Sequence, residues 1–209
     1  MSKFWGYLGG TITRPQLTFR NLLNDPNRLL QGFGAVLLIG VLYTLTVIGL
    51  AVVGAEITTP AWVSIPASEY YFREIFFAIP VYFMVWILAA GIVQIVSKAF
   101  GGQGSFEGTF AVLGLALTLP SFVTWIPETI GTVLMLFGLM SQKEWLDIVA
   151  RPGFWQVFAA AYQFVAVAWF LLLFPIAVAV AQKIRWWPSA IVGILTVAIA
   201  GFVIFIFIR

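Results

Sequence analysis

Cysteine and histidine are both absent from this chain. Without cysteine there is no disulfide, no thiolate metal site and no thiol nucleophile. Without histidine the commonest general base and the commonest metal ligand are missing too. Charge is scarce: Asp, Glu, Lys and Arg make up 9% of the 209 residues, where a soluble domain carries about 25%. So little charge cannot clothe a water-facing surface, and no long polar segment offers a separate soluble module. The net charge of +3 is small, and the chain is expected to bind neither nucleic acid nor a cofactor.

What the chain has instead is apolar bulk. Hydrophobic residues make up 62% and aromatic residues 17% of it, with a mean hydropathy of +1.03. Lipid is then its main solvent. The segment from Met1 to Gln31 carries Arg14, Arg20, Asp25 and Arg28 with no apolar core between them, so it does not read as a cleavable signal peptide. Apolar stretches follow at about Gly32 to Ala55, Ile75 to Ser97, Thr109 to Met140, Phe154 to Ala181 and Pro188 to Ile208. About 20 apolar residues cross the hydrocarbon, and four of these stretches have that length. The fold class expected is all-α: a polytopic transmembrane helix bundle of about five spans, preceded by an N-terminal interfacial helix. Residues 1–31 are expected to form a cytoplasmic N-terminal segment and residues 32–209 a single membrane bundle.

The third stretch is too long for one upright span and too short for two. Pro120 and Pro127 are expected to kink or break it, since proline removes a backbone donor and clashes with the preceding turn. The reading is one full span followed by a bent or re-entrant half-helix carrying Glu128, with a full hairpin and six spans as the alternative. Five spans with a cytoplasmic N-terminus place seven of the eleven basic residues inside: Lys3, Arg14, Arg20, Arg28, Lys98, Lys183 and Arg185. Arg73, Lys143, Arg151 and Arg209 fall outside, in agreement with the positive-inside rule. The outer face then holds Glu56, Glu69, Glu74, Glu144 and Asp147. Trp62, Tyr70, Tyr71, Trp145, Trp155, Trp186 and Trp187 fall near span ends, where aromatic belts form.

Polar patterning is sparse. Thr13-Arg14-Pro15 reads as a helix start, with Thr13 capping and Pro15 in the first turn. From Pro15 to Asn24, Leu17, Phe19, Leu22 and Leu23 alternate with polar residues, which suggests a short amphipathic helix in the headgroup region. Asp25-Pro26 reads as a second cap before the first span. Arg14, Arg20 and Arg28 on this segment are candidate partner-docking residues. Gly101-Gly102-Gln103-Gly104-Ser105-Phe106 reads as a tight turn with Ser105 capping the next helix and Glu107 in its first turn. It lacks the Lys of a phosphate-binding loop. Gln94, Glu128 and Gln163 are the candidate functional polar residues at membrane depth. Glu128 is read as an interfacial carboxylate at a half-helix N-terminus, and Gln94 and Gln163 as interhelical hydrogen-bonders. No carboxylate pair is evident, so no catalytic or metal residue is assigned.

Three features together resemble the Yip-domain (Ypt-interacting protein) family, especially its short prokaryotic type. They are Thr11-Ile12-Thr13-Arg14-Pro15 with Phe19 and Asp25-Pro26; the junction Ser97 to Phe106; and the Thr109 to Pro120 run with its late proline, all within a five-span order. The resemblance implies a five-span protein with a cytosolic N-terminus and no enzymatic activity. In eukaryotes the family is linked to Rab GTPases and vesicle traffic. The chain has no long cytosolic N-terminal domain, which points away from Rab binding and towards a bacterial or archaeal plasma membrane. No site residue carries over. The expected function is a non-enzymatic scaffold or adaptor in membrane organisation or trafficking, in contact with the lipid bilayer and with membrane or cytosolic proteins. The alternative is a small transporter, channel or lipid-handling protein using a site near Glu128.

The expected topology is directly testable, because introduced cysteines have no native competitor. Single cysteines at Lys183 and Ser189 should react with an impermeant thiol reagent only after the inner face is exposed. Labelling of intact cells at either position would exclude five spans with an inner N-terminus.

Overall fold

The computed structural model describes residues 2–59 and 62–208. Among these the chain forms eight α-helices. They are α1 (Ser2–Thr13), α2 (Pro15–Leu23), α3 (Arg28–Val52), α4 (Tyr70–Lys98), α5 (Phe106–Leu136), α6 (Gln142–Ala150), α7 (Phe154–Gln182) and α8 (Trp186–Phe207). Five of them, α3, α4, α5, α7 and α8, are long and apolar enough to cross a membrane. Arg209 lies outside the described residues. The near end of the bundle holds α1, α2 and the α4–α5 turn, and the far end holds α6 and the α3–α4 connection.

Helix α5 is the axis. It packs along α3 more extensively than any other pair of helices pack, and it also touches α1, α2, α4 and α7. From Ala111 to Ser121 every residue is buried. The close approach is made by glycine. A Cβ on Gly32 would stand 2.7 Å from the Ala111 carbonyl oxygen, and one on Gly114 would stand 2.6 Å from that of Gly32. Between lipid-soluble helices, small residues that let backbones meet are a principal source of association. Helix α8 closes the ring by packing on α4 and α7.

The expected break in the third stretch is absent. Helix α5 runs for 31 residues through both Pro120 and Pro127, about 46 Å at 1.5 Å per residue. Proline is tolerated inside a membrane helix where neighbouring helices and hydroxyl side chains support the freed backbone. Here five helices pack against α5. Thr118, Ser121 and Thr132 bond the carbonyls of Gly114, Leu117 and Glu128, in the turns around the prolines and not at the freed carbonyls of Ala116 and Val123 themselves. The added length reaches the far end, where α6 covers it. Helix α6 opens with a capping box in which the Ser141 hydroxyl and the Glu144 carboxylate satisfy each other's backbone N–H. The Gln142 amide pairs with both backbone groups of Glu56, donating to its oxygen at 2.6 Å and accepting from its nitrogen at 3.0 Å.

The N-terminal segment also differs from expectation. Thr13 ends α1, a helix the apolar pattern did not suggest, and Arg14 occupies the N-cap of α2 without a side-chain cap. Pro15 does take the first turn of α2. Phe19 and Leu22 are fully buried against the bundle instead of facing headgroups, because α2 lies across α7 and α5. Asn27, two residues after Asp25, occupies the N-cap position of α3 without a side-chain cap. Asp25 instead ties α1 to this junction. It accepts from the Asn27 backbone at 2.8 Å and from the Tyr7 hydroxyl at 2.8 Å, which hold its carboxyl below the usual carboxylate range. Burial and the same bond raise the Tyr7 hydroxyl to about 12.

The α3–α5 crossing makes a measurable demand. Gly114→Ala and Gly32→Ala should each lower stability by about 1–3 kcal/mol, the range of an overpacked core, and lower the thermal midpoint in mild detergent. Gly91→Ala, which meets open space, should be neutral or stabilising because alanine favours helix by up to about 1 kcal/mol. Equal midpoints for all three variants would show that the crossing does not hold the bundle together.

Candidate functional site: a carboxylate cavity in the far half

Two polar clusters form inside the bundle, one in each half. In the near half, Gln182 at the end of α7 is fully buried and donates to Gln94 of α4 at 2.8 Å and to Thr109 of α5 at 2.6 Å. Gln94 in turn donates to the Gly104 carbonyl at 3.1 Å. The glycine turn is drawn onto the same place. Gln103 donates its backbone N–H to the Gln182 carbonyl at 3.0 Å, and a Cβ on Gly104 would stand 2.1 Å from the Ala181 carbonyl oxygen. Gly101 supplies the left-handed residue, at φ 77°. Ser105 caps α5 by accepting from Gly108, as the sequence suggested. This cluster locks three helices together.

The far half is different. A cavity of about 520 Å³ draws lining residues from all five long helices, among them Tyr43, Tyr82, Trp125, Glu128, Gln163 and Phe205. A second cavity, of about 190 Å³, lies towards α6 and includes Tyr43, Tyr71, Glu128, Thr132, Gln142 and Trp145. Tyr43 and Glu128 line both, so the two spaces meet at that pair. The Tyr43 hydroxyl donates to the Glu74 carboxylate at 3.1 Å. Glu74 is fully buried on α4. The walls are positioned by side-chain bonds across the α3–α5 contact. Thr46 and Thr129 hydroxyls lie 2.7 Å apart, and the Trp125 indole donates to Thr46 at 3.1 Å.

The candidate residues fare unevenly. Glu128 is half-buried and sits in the interior of a continuous helix, not at a half-helix N-terminus, because the break after Pro127 does not occur. Among the described residues its carboxylate makes no hydrogen bond or ion pair, and it faces the cavities. Gln94 makes the interhelical bonds expected of it. Gln163 does not: it is exposed, lines the larger cavity and bonds Tyr162 on its own helix. Arg14 and Arg20 are exposed. Arg28 donates to Glu107 at 3.0 Å and to the Leu23 carbonyl at 2.9 Å, so much of its guanidinium is engaged. Glu74 is not on an outer surface, and Tyr70 is buried with its hydroxyl donating to the Phe207 carbonyl, not in an aromatic belt. A signal for Glu74 was present. Glu74, Ala78, Val81, Val85, Ala89 and Val93 follow helical spacing, and all six are buried.

The model of the Yip1 domain matches residues 9–208, nearly the whole chain. The chain belongs to the Yip1 domain family. No curated protein and no solved structure matches it. The match begins in α1 and ends one residue past α8, so the Yip1 domain takes in both the clasped near half and the cavity of the far half.

Proposed function

We propose that this Yip1-domain protein is a non-enzymatic scaffold or adaptor in membrane organisation or trafficking, acting by assembly with other membrane proteins. The observation that carries this is the first half of α7. From Phe154 to Val165 ten of the twelve residues are exposed and the other two half-buried, with Phe154, Trp155, Val157, Phe158, Phe164 and Val165 open on several sides. Lipid can cover the apolar side chains, but Gln163 sits among them, and a polar amide at membrane depth favours a protein neighbour over hydrocarbon. The setting proposed is the cell membrane, with the N-terminus cytoplasmic and the C-terminus outside. A photo-crosslinking residue placed at Phe164 should give a discrete protein-sized adduct in native membranes, whereas the same residue at Ile194, exposed on α8, should give lipid adducts. Lipid adducts alone at both positions would overturn the scaffold reading.

A second reading is favoured by a specific observation, the meeting of two cavities at Tyr43 and Glu128 beside a buried Glu74. Intramembrane carboxylates that line open space are the usual mark of proton or solute handling. In this reading Glu128 is the group that binds or couples. Reconstituted protein should then move protons or a small cation across vesicles, and Glu128→Gln should abolish that flux while helicity and oligomeric state are kept. Absence of flux in the wild type, or flux that survives the substitution, would exclude it.

A further inference from the structure

The near end carries a site that neither the scaffold nor the transport reading uses. A cavity of about 570 Å³ opens between α2, the glycine turn and the end of α7, and Arg20, Arg28 and Lys183 all line it. A neighbouring cavity of about 330 Å³ shares Arg20 and Lys183 and is bounded by Trp186. The three cations come from three places in the chain: α2, the first turn of α3, and the residue after α7. Arg28 is balanced by Glu107. Among the described residues Arg20 and Lys183 form no ion pair or side-chain hydrogen bond, so two positive charges remain uncompensated around one concavity.

The backbone holds them there. Lys183 adopts the left-handed conformation at φ 57°, the one such non-glycine residue among those described. It follows a helix end that the Gln182–Gln94–Thr109 cluster and the Gln103 bond pin in place. Arg20 is fixed in register by Phe19 and Leu22, which bury completely on either side of it. Asn24, Gln103 and Ser105 add neutral polar groups to the lining. Ser105, which caps the N-terminus of α5, is itself part of the lining, so the positive end of that helix lies at the edge of the pocket. Two free cations, a paired arginine and polar donors around a pocket suit a phosphate group. The pocket's place beside Trp186 and Trp187, both exposed and next to the start of a spanning helix, is the level at which lipid headgroups lie.

We propose that this cavity binds the phosphate of an anionic phospholipid, with Arg20 and Lys183 as the recognising cations and Arg28 as the third wall. Lys98 supplies the comparison, being an exposed cation of the near end that lines neither cavity.

The test uses the full chain, purified from vesicles of equal parts phosphatidylcholine and phosphatidylglycerol, with retained lipid read by mass spectrometry of the intact protein. Wild type should retain phosphatidylglycerol in preference to phosphatidylcholine. The double variant Arg20→Gln/Lys183→Gln should lose that preference by about fivefold for each cation removed. Lys98→Gln should keep it. Both altered side chains are exposed, and unchanged helicity checks the fold. An unchanged preference in the double variant would overturn the proposal, as would an equal loss in Lys98→Gln, which would mean diffuse surface charge. Inorganic phosphate at millimolar level should not displace the lipid. Displacement would assign the pocket to a soluble phosphate and overturn the lipid assignment.

Discussion

The backbone contact between α3 and α5 at Gly32, Ala111 and Gly114 is the constraint on which the rest of this bundle depends. Lipid tails are as apolar as the helix faces, so burial of leucine or valine gives little reason for two spans to adhere. Close backbone approach does, because it multiplies dispersion contacts along both helices. Once α5 lies against α3, the other elements have a surface to pack on, and α5 becomes enclosed through its middle turns. That enclosure lets a helix with two internal prolines remain one helix. It also brings Thr46 of α3 to Thr129 and Trp125 of α5, and so shapes the cavity that Glu128 faces.

The two ends of the bundle are held by different means. At the near end the glycine turn, Gln94, Thr109 and Gln182 form a hydrogen-bonded clasp among α4, α5 and α7. At the far end the first half of α7 is largely exposed, and the interior opens into the two cavities that meet at Tyr43 and Glu128. The Yip1 domain thus joins a hydrogen-bonded clasp at one end to a cavity lined by all five long helices at the other.

Much of the fold was legible from the residues alone. Runs of apolar residues of membrane-crossing length, separated by charged or glycine-rich turns, report five spans because the hydrocarbon thickness sets their length. The Ser105 cap and the first-turn position of Pro15 are local effects, visible in a few consecutive residues. The prolines of α5 misled for the same reason: their local cost is real, but the surrounding helices that offset it are distant in sequence. Helix α1 and the burial of Phe19 and Leu22 were hidden likewise, since an amphipathic face looks the same whether lipid or protein covers it.

Composition and spacing therefore determined the solvent of this protein, its five spans, its family and the exclusion of thiol and imidazole chemistry. Those properties depend on residue type and short-range order. Which polar groups meet was decided only by the tertiary structure. Glu74 and Tyr43 are separated by 31 residues, Gln182 and Gln94 by 88, and no local pattern pairs them. Their contacts exist because the α3–α5 crossing fixes the rotation and depth of every other helix, and a helix turned by half a revolution would present the same residues to lipid.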